Sequence, residues 1–117
     1  MDHVSTITVQ YGGFHMGSER RTLRRDGDNI VLERMGNMRK EPKGPFYEGL
    51  GWKDLMEKLS HINIDQWQED YFDRNILDGI QWSVDIEFDD DTPPRHYFGS
   101  NKFPDDFDSF LKIMEMK

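Results

Sequence analysis

Residues 82–88 constrain this chain more than any other segment, because Trp82, Val84, Ile86 and Phe88 alternate with Ser83, Asp85 and Glu87. A strand turns successive side chains to opposite faces, so the run predicts one buried apolar face and one wet, acidic face. Just before it, Asp78-Gly79 stands between Ile76-Leu77 and Ile80-Gln81, the pattern that a two-residue hairpin turn requires. Just after it, Asp89-Asp90-Asp91-Thr92-Pro93-Pro94 cannot continue a strand, since proline offers no amide to the ladder. The chain then returns antiparallel from Arg95 to Gly99, with Arg95 and Tyr97 expected on the wet face near Glu87 or Asp85.

Gly99-Ser100-Asn101 ends that strand, and Pro104 reads as the first position of a last helix, where a missing N–H costs nothing. Phe107, Phe110, Leu111 and Met114 recur at helical spacing and form its core stripe. Trp52, Leu55, Met56 and Leu59 do the same for a helix near 51–61. A second helical turn or two is expected around Asn63 to Asp73, capped by Asn63 or Asp65, with Trp67 and Tyr71 on its buried side.

At the other end, Ile7, Val9 and Tyr11 alternate with Thr6, Thr8 and Gln10 over residues 4–11, a half-buried strand that Gly12-Gly13 breaks. Further strands at 19–25 and 29–35, joined by the Asp26-Gly27-Asp28-Asn29 turn, complete an N-terminal meander. Residues 36–51 carry glycine, proline and scattered charge with no period and read as a long connection. Together these elements predict an α+β fold, an antiparallel sheet of about five strands with two to three helices packed on one face.

With 117 residues the chain is expected to be a single domain, 1–117, because two cores would leave each half too little surface to bury. It has no cysteine, so neither disulfides nor thiolate zinc sites are expected. No apolar run approaches the roughly 20 residues that span a bilayer, and the first residues carry no export pattern, so a soluble, cytoplasmic protein without a membrane partner is expected.

From Trp67 to Leu111 the pattern W-x3-Y, D-G-x-x-W-x-V-x-I-x-F and G-S-N-x-F-P resembles a group of small, mainly bacterial uncharacterised proteins and domains. Their shared signature is a D-G-x-x-W strand followed by G-S-N-x-[Y/F]-P. The resemblance covers roughly the last 45 residues, with turn glycines and a core aromatic as its fixed points. It implies a shared architecture and no catalytic residues.

Charge is the remaining functional signal. Residues 51–117 hold 7 Lys and Arg against 16 Asp and Glu, a net of −9, whereas residues 1–50 hold 8 against 7, a net of +1. The acidic half favours a basic protein partner, with Asp85, Glu87, Asp89, Asp90 and Asp91 as its contact surface. The leading expectation is a non-enzymatic binding protein, an immunity protein or other inhibitor of a basic toxin or nuclease. A DNA-mimicking inhibitor differs only in which basic groove it fills.

Arg20, Arg21, Arg24 and Arg25 form the one basic cluster of the sequence. They read either as charge protecting an edge strand or as phosphate contacts of a nucleic-acid accessory protein. Arg20 and Arg24 share a strand face with Thr22, Leu23 points to the core, and Arg21 and Arg25 flank it toward the edges. His3, His15, His61 and His96 show no metal-ligand spacing, the aspartates at 89–91 lack the EF-hand pattern, and no nucleophile motif or cofactor loop is present. Asp105, Asp106 and Asp108 suit the positive end of the last helix. An enzyme would need distant carboxylates and histidines to converge in a cleft.

Overall fold

The computed structural model describes residues 3–13, 17–36, 51–72 and 79–114, with the side chains of 34–36 left out. Among them are β1 (Val4–Gly13), β2 (Gly17–Asp26), β3 (Asn29–Gly36), α1 (Trp52–Leu59), β4 (Asp70–Phe72), β5 (Ile80–Phe88), β6 (Arg95–Ser100) and α2 (Phe107–Ile113). The strands form one sheet in the order β3-β2-β1-β5-β6-β4. The fold is α+β as expected, but the sheet has six strands and is mixed, because β4 pairs parallel to β6. None of the described helices is long and apolar enough to cross a membrane.

β1 lies at the centre, paired antiparallel to β2 on one side and β5 on the other. Alternation then decides everything about the faces. Ile7 and Val9 of β1, Leu23 of β2, Trp82, Val84 and Ile86 of β5 and Tyr97 of β6 point inward and are buried. Trp52, Leu55 and Leu59 of α1 and Phe107, Phe110 and Leu111 of α2, with Met114 just after it, complete one core cluster. Its centre is aromatic: Trp82 lies 4.5 Å from Phe107, and Trp67 lies 5.4 Å from Phe110, between ring centroids.

The two helices begin differently, α1 with a tertiary cap and α2 with a local turn. Asp28, in the turn between β2 and β3, accepts the Trp52 N–H on its carbonyl at 2.7 Å and the Lys53 N–H on its carboxylate at 3.1 Å. A side chain at Gly51 would strike that carboxylate, its Cβ falling 2.4 Å from Asp28 Oδ2. At the other helix Pro104 is not the first residue; its carbonyl accepts the Phe107 N–H at 3.1 Å, so α2 starts three residues later. Asp106 turns away from its own helix to accept the Asn63 N–H at 2.7 Å and the Trp67 indole at 2.8 Å.

That last contact explains a departure from the sequence reading. Of the helical turn or two expected around Asn63 to Asp73, the chain makes one 3-10 turn (Ile64–Gln66) and buries Trp67 as expected, but then runs on as β4, and Asp73 lies outside the described residues. The capping that Asn63 or Asp65 could give does not form, since Asn63 caps the turn without a side-chain hydrogen bond, and long-range pairing with β6 draws Asp70–Phe72 into the sheet. Residues 76–78 of the expected hairpin turn lie outside the described residues, as does most of the connection at 36–51.

The Trp82 strand and the corner from Gly99 to Lys102 meet in space. Trp82 pairs with Gly99, and a Cβ on Gly99 would fall 2.3 Å from the indole nitrogen. That nitrogen donates to the Lys102 carbonyl at 2.9 Å. Asn101, at φ 59°, takes the left-handed conformation that ends the strand, and a Cβ on Gly79 would collide with its carboxamide. These residues hold each other in place, which is an architectural role.

Candidate functional surface on the sheet

Because the helices cover one face of the sheet, the opposite face is presented by the residues that alternate with the core. On β1 these are Thr6, Thr8 and Gln10, on β2 Arg20, Thr22 and Arg24, on β5 Gln81, Ser83, Asp85 and Glu87, and on β6 His96 and Phe98. All of them are exposed or half-buried. The registers place them in rows. Arg24 stands beside Thr6 and Thr6 beside Glu87; Thr22, Thr8, Asp85 and His96 form the next row.

The result is a striped face, with a basic stripe on β2, a neutral threonine and glutamine stripe on β1, and an acidic stripe on β5. Arg24 donates to Glu33 of β3 at 2.6 Å, and the Thr8 and Thr22 hydroxyls are 3.3 Å apart. The His96 ring pairs with the Asp85 carboxylate. A shallow hollow of about 340 Å³ lies between Arg20, Arg24, Glu33 and Glu87 over the threonines. A second, about 380 Å³, lies between Gln10, Ser83 and the ring pair Phe72 and Phe98, whose centroids are 5.6 Å apart. Phe72 is 52% exposed, unusual for a ring of that size.

The candidate residues therefore divide. Asp85 and Glu87 do lie on the open face. Asp89 and Asp90 lie at the end of β5, where His3 Nδ1 approaches Asp89 at 3.3 Å, Arg25 approaches it at 3.8 Å, and His3 Nε2 is 3.9 Å from Asp90. Asp90 also accepts the Thr92 N–H at 2.9 Å. Hydrogen bonds from the Thr92 hydroxyl and backbone hold its carboxyl below the ordinary carboxylate range. Asp91 is exposed beside them.

The basic cluster divides as well. Arg20 and Arg24 lie on the open face with Thr22, as expected, but Arg21 points the opposite way and is buried at 1% exposure. It pairs with the equally buried Glu19 and donates to the Met114 carbonyl at 3.0 Å. Nor is β2 an edge strand; it lies between β1 and β3, so edge protection does not account for the arginines. Arg25 donates to the Gly27 carbonyl at 2.9 Å beside the acidic loop.

β6 is shifted by one residue from expectation. Tyr97 is buried, and Arg95 pairs with Asp65, which holds its guanidinium charged to still higher pH than usual. His96 is the residue that faces Asp85. A signal for this did exist, since the large Trp82 needs a glycine opposite, and placing Gly99 there fixes His96 and Phe98 on the open face. Among the described residues no group of three or more His, Asp or Glu is placed to hold a metal ion. Chemically, the face offers paired charges, hydroxyls and the exposed Phe72 ring beside the half-buried Phe98, the means of recognition by contact. No protein-family model, curated protein or solved structure matches this chain.

Proposed function

We propose that this chain is a non-enzymatic protein-binding module, an acidic inhibitor of the immunity-protein kind, which grips a basic partner with the open face of its sheet. The observation that carries the reading is the acidic stripe of Asp85 and Glu87 on a face that the helices leave uncovered. A sheet held rigid from behind by an aromatic core presents such side chains with little entropy left to lose on binding. Basic side chains of the partner meet the carboxylates, and Phe72 and Phe98 supply the apolar contact that charge alone lacks. The stripe steers approach, so the association rate falls as salt rises.

Nucleic acid is the poorer fit. Arg24 is already paired with Glu33, and Asp85 and Glu87 stand between the arginines and the two rings, where they repel phosphate. The test is affinity capture from the source cells with three forms of the chain: wild type, Asp85→Asn with Glu87→Gln, and a form with Asp89, Asp90 and Asp91 all changed to Asn. A basic protein held by the wild type and the loop variant, and lost with the stripe variant, is the expected result. Capture that ignores Asp85 and Glu87 would sink the reading.

A further inference from the structure

We propose that the open face also pairs with the open face of a second copy of this chain, about a two-fold axis running along β1. This rests on the open face being a binding surface, and not on the identity of any foreign partner. The cross-strand register carries the argument. In one row Glu33, Thr22, Thr8, Asp85 and His96 lie on β3, β2, β1, β5 and β6. In the adjacent row Arg24, Thr6 and Glu87 lie on β2, β1 and β5.

A two-fold axis parallel to β1 and midway between two such faces keeps every row at its own height. It lays β2 of one copy over β5 of the other, and β3 over β6. Arg24 then stands over Glu87 of the second copy, Glu33 stands over His96, and Asp85 meets the Thr22 hydroxyl. Symmetry makes each contact twice. The other two-fold axis in the same plane, across the strands, lays β5 on β5 and β2 on β2. That sets Asp85 and Glu87 against carboxylates and Arg20 and Arg24 against guanidiniums, so like charge repels like. Charge complementarity thus selects one orientation.

Packed sheets lie about 10 Å apart, a gap that facing arginine and glutamate side chains span together. Their strands cross at about −30°, which draws the far corners apart and leaves the contacts nearest the axis, Arg24 with Glu87, the strongest. The existing Arg24–Glu33 pair is exposed on both sides, so exchanging it costs little and frees Glu33 for His96. The face is polar, so the dimer is weak, reversible and sensitive to salt. It covers the acidic stripe until a stronger basic partner displaces the second copy.

Sedimentation velocity of the full chain over a range of concentrations, at low and high salt, tests this. The expected result is a concentration-dependent dimer at low salt that dissociates at high salt. Arg24→Glu and Glu87→Arg should each weaken it by about tenfold or more, and the double variant should recover it. Both positions are exposed, and circular dichroism confirms that each variant is folded. Since the chain has no cysteine, Gln10→Cys on the axis gives a single thiol that a short bis-maleimide joins to its own copy in the dimer. A monomer at every concentration, a dimer that tolerates both single reversals, no recovery in the double variant, or no Gln10→Cys cross-link overturns the proposal. Loss of the dimer with basic-partner capture intact overturns only this inference; loss of capture with the dimer intact overturns only the inhibitor reading.

Discussion

The Asn101 carboxamide oxygen accepts the Ile80 N–H at 2.8 Å, while the Asn101 N–H donates to the Ile80 carbonyl at the same distance. One residue thus closes both backbone groups at the start of β5, and it does so from the left-handed conformation. Asn101→Ala removes the side-chain acceptor and puts alanine at an unfavourable φ, for an expected loss of about 2–3 kcal/mol. Asn101→Gly keeps the conformation without strain and should lose about half as much. Urea unfolding of the two variants gives the order, and equal losses would show that the backbone conformation contributes nothing.

The buried Glu19–Arg21 pair predicts that neighbouring arginines differ widely in their contribution. Arg21→Met takes the cation from a buried carboxylate and the donor from the Met114 carbonyl, an expected loss of about 3–5 kcal/mol. Arg20→Met, at an exposed position, should stay within about 0.5 kcal/mol of wild type. Thermal unfolding of both decides it, and equal losses contradict the account.

Asp105 and Asp106 are adjacent, yet their substitutions should differ. Asp106→Ala leaves the Asn63 N–H and the Trp67 indole without their acceptor and should cost about 1–3 kcal/mol. Asp105 is exposed in the turn before α2, and Asp105→Ala should stay within about 0.5 kcal/mol of wild type. Chemical denaturation of the two alanine variants should separate them, and equal losses would contradict the account.

The Asp90 carboxyl is held below the ordinary carboxylate range by Thr92, through its hydroxyl first and its backbone second. A carboxylate with a lowered folded pKa adds stability above its unfolded value and loses it as pH falls through the folded one. The contribution is therefore present in full near neutrality and is lost only as the pH falls through the acid range. Thr92→Val keeps the backbone donor and removes the hydroxyl, so an NMR titration should find the Asp90 midpoint moved upward. An unmoved midpoint would assign the shift to the backbone contact alone.

Much of this architecture was legible because it is local. The alternation of Trp82, Val84, Ile86 and Phe88 names a strand and its buried side, and the spacing of Phe107, Phe110, Leu111 and Met114 names a helix and its stripe. The errors arose where distant partners decide. Nothing local marks Asp70–Phe72 as a strand, since its pairing is with β6 across the fold. The loop at 89–94 leaves the register of β6 open, so Arg95 and Tyr97 are expected on the face that His96 in fact takes. Arg21 is expected to flank the strand toward its edge, although alternation from Leu23 already turns both Arg21 and Glu19 inward. The candidate surface was half legible: its charged residues could be named, but their assembly into stripes depends on β1 lying between β2 and β5.

That central place of β1 also bears on how the protein comes into being. During synthesis the meander of β1, β2 and β3 emerges long before residues 80–88, so β1 spends that interval with one hydrogen-bonding edge and the apolar Ile7 and Val9 unclaimed. Such an edge is a ready template for a neighbouring nascent chain. The sheet is completed only by closing a large loop, which places this fold among the slower single domains. Where several ribosomes follow one another on a message and their nascent chains lie close, the vulnerable moment comes between the third strand and the fifth.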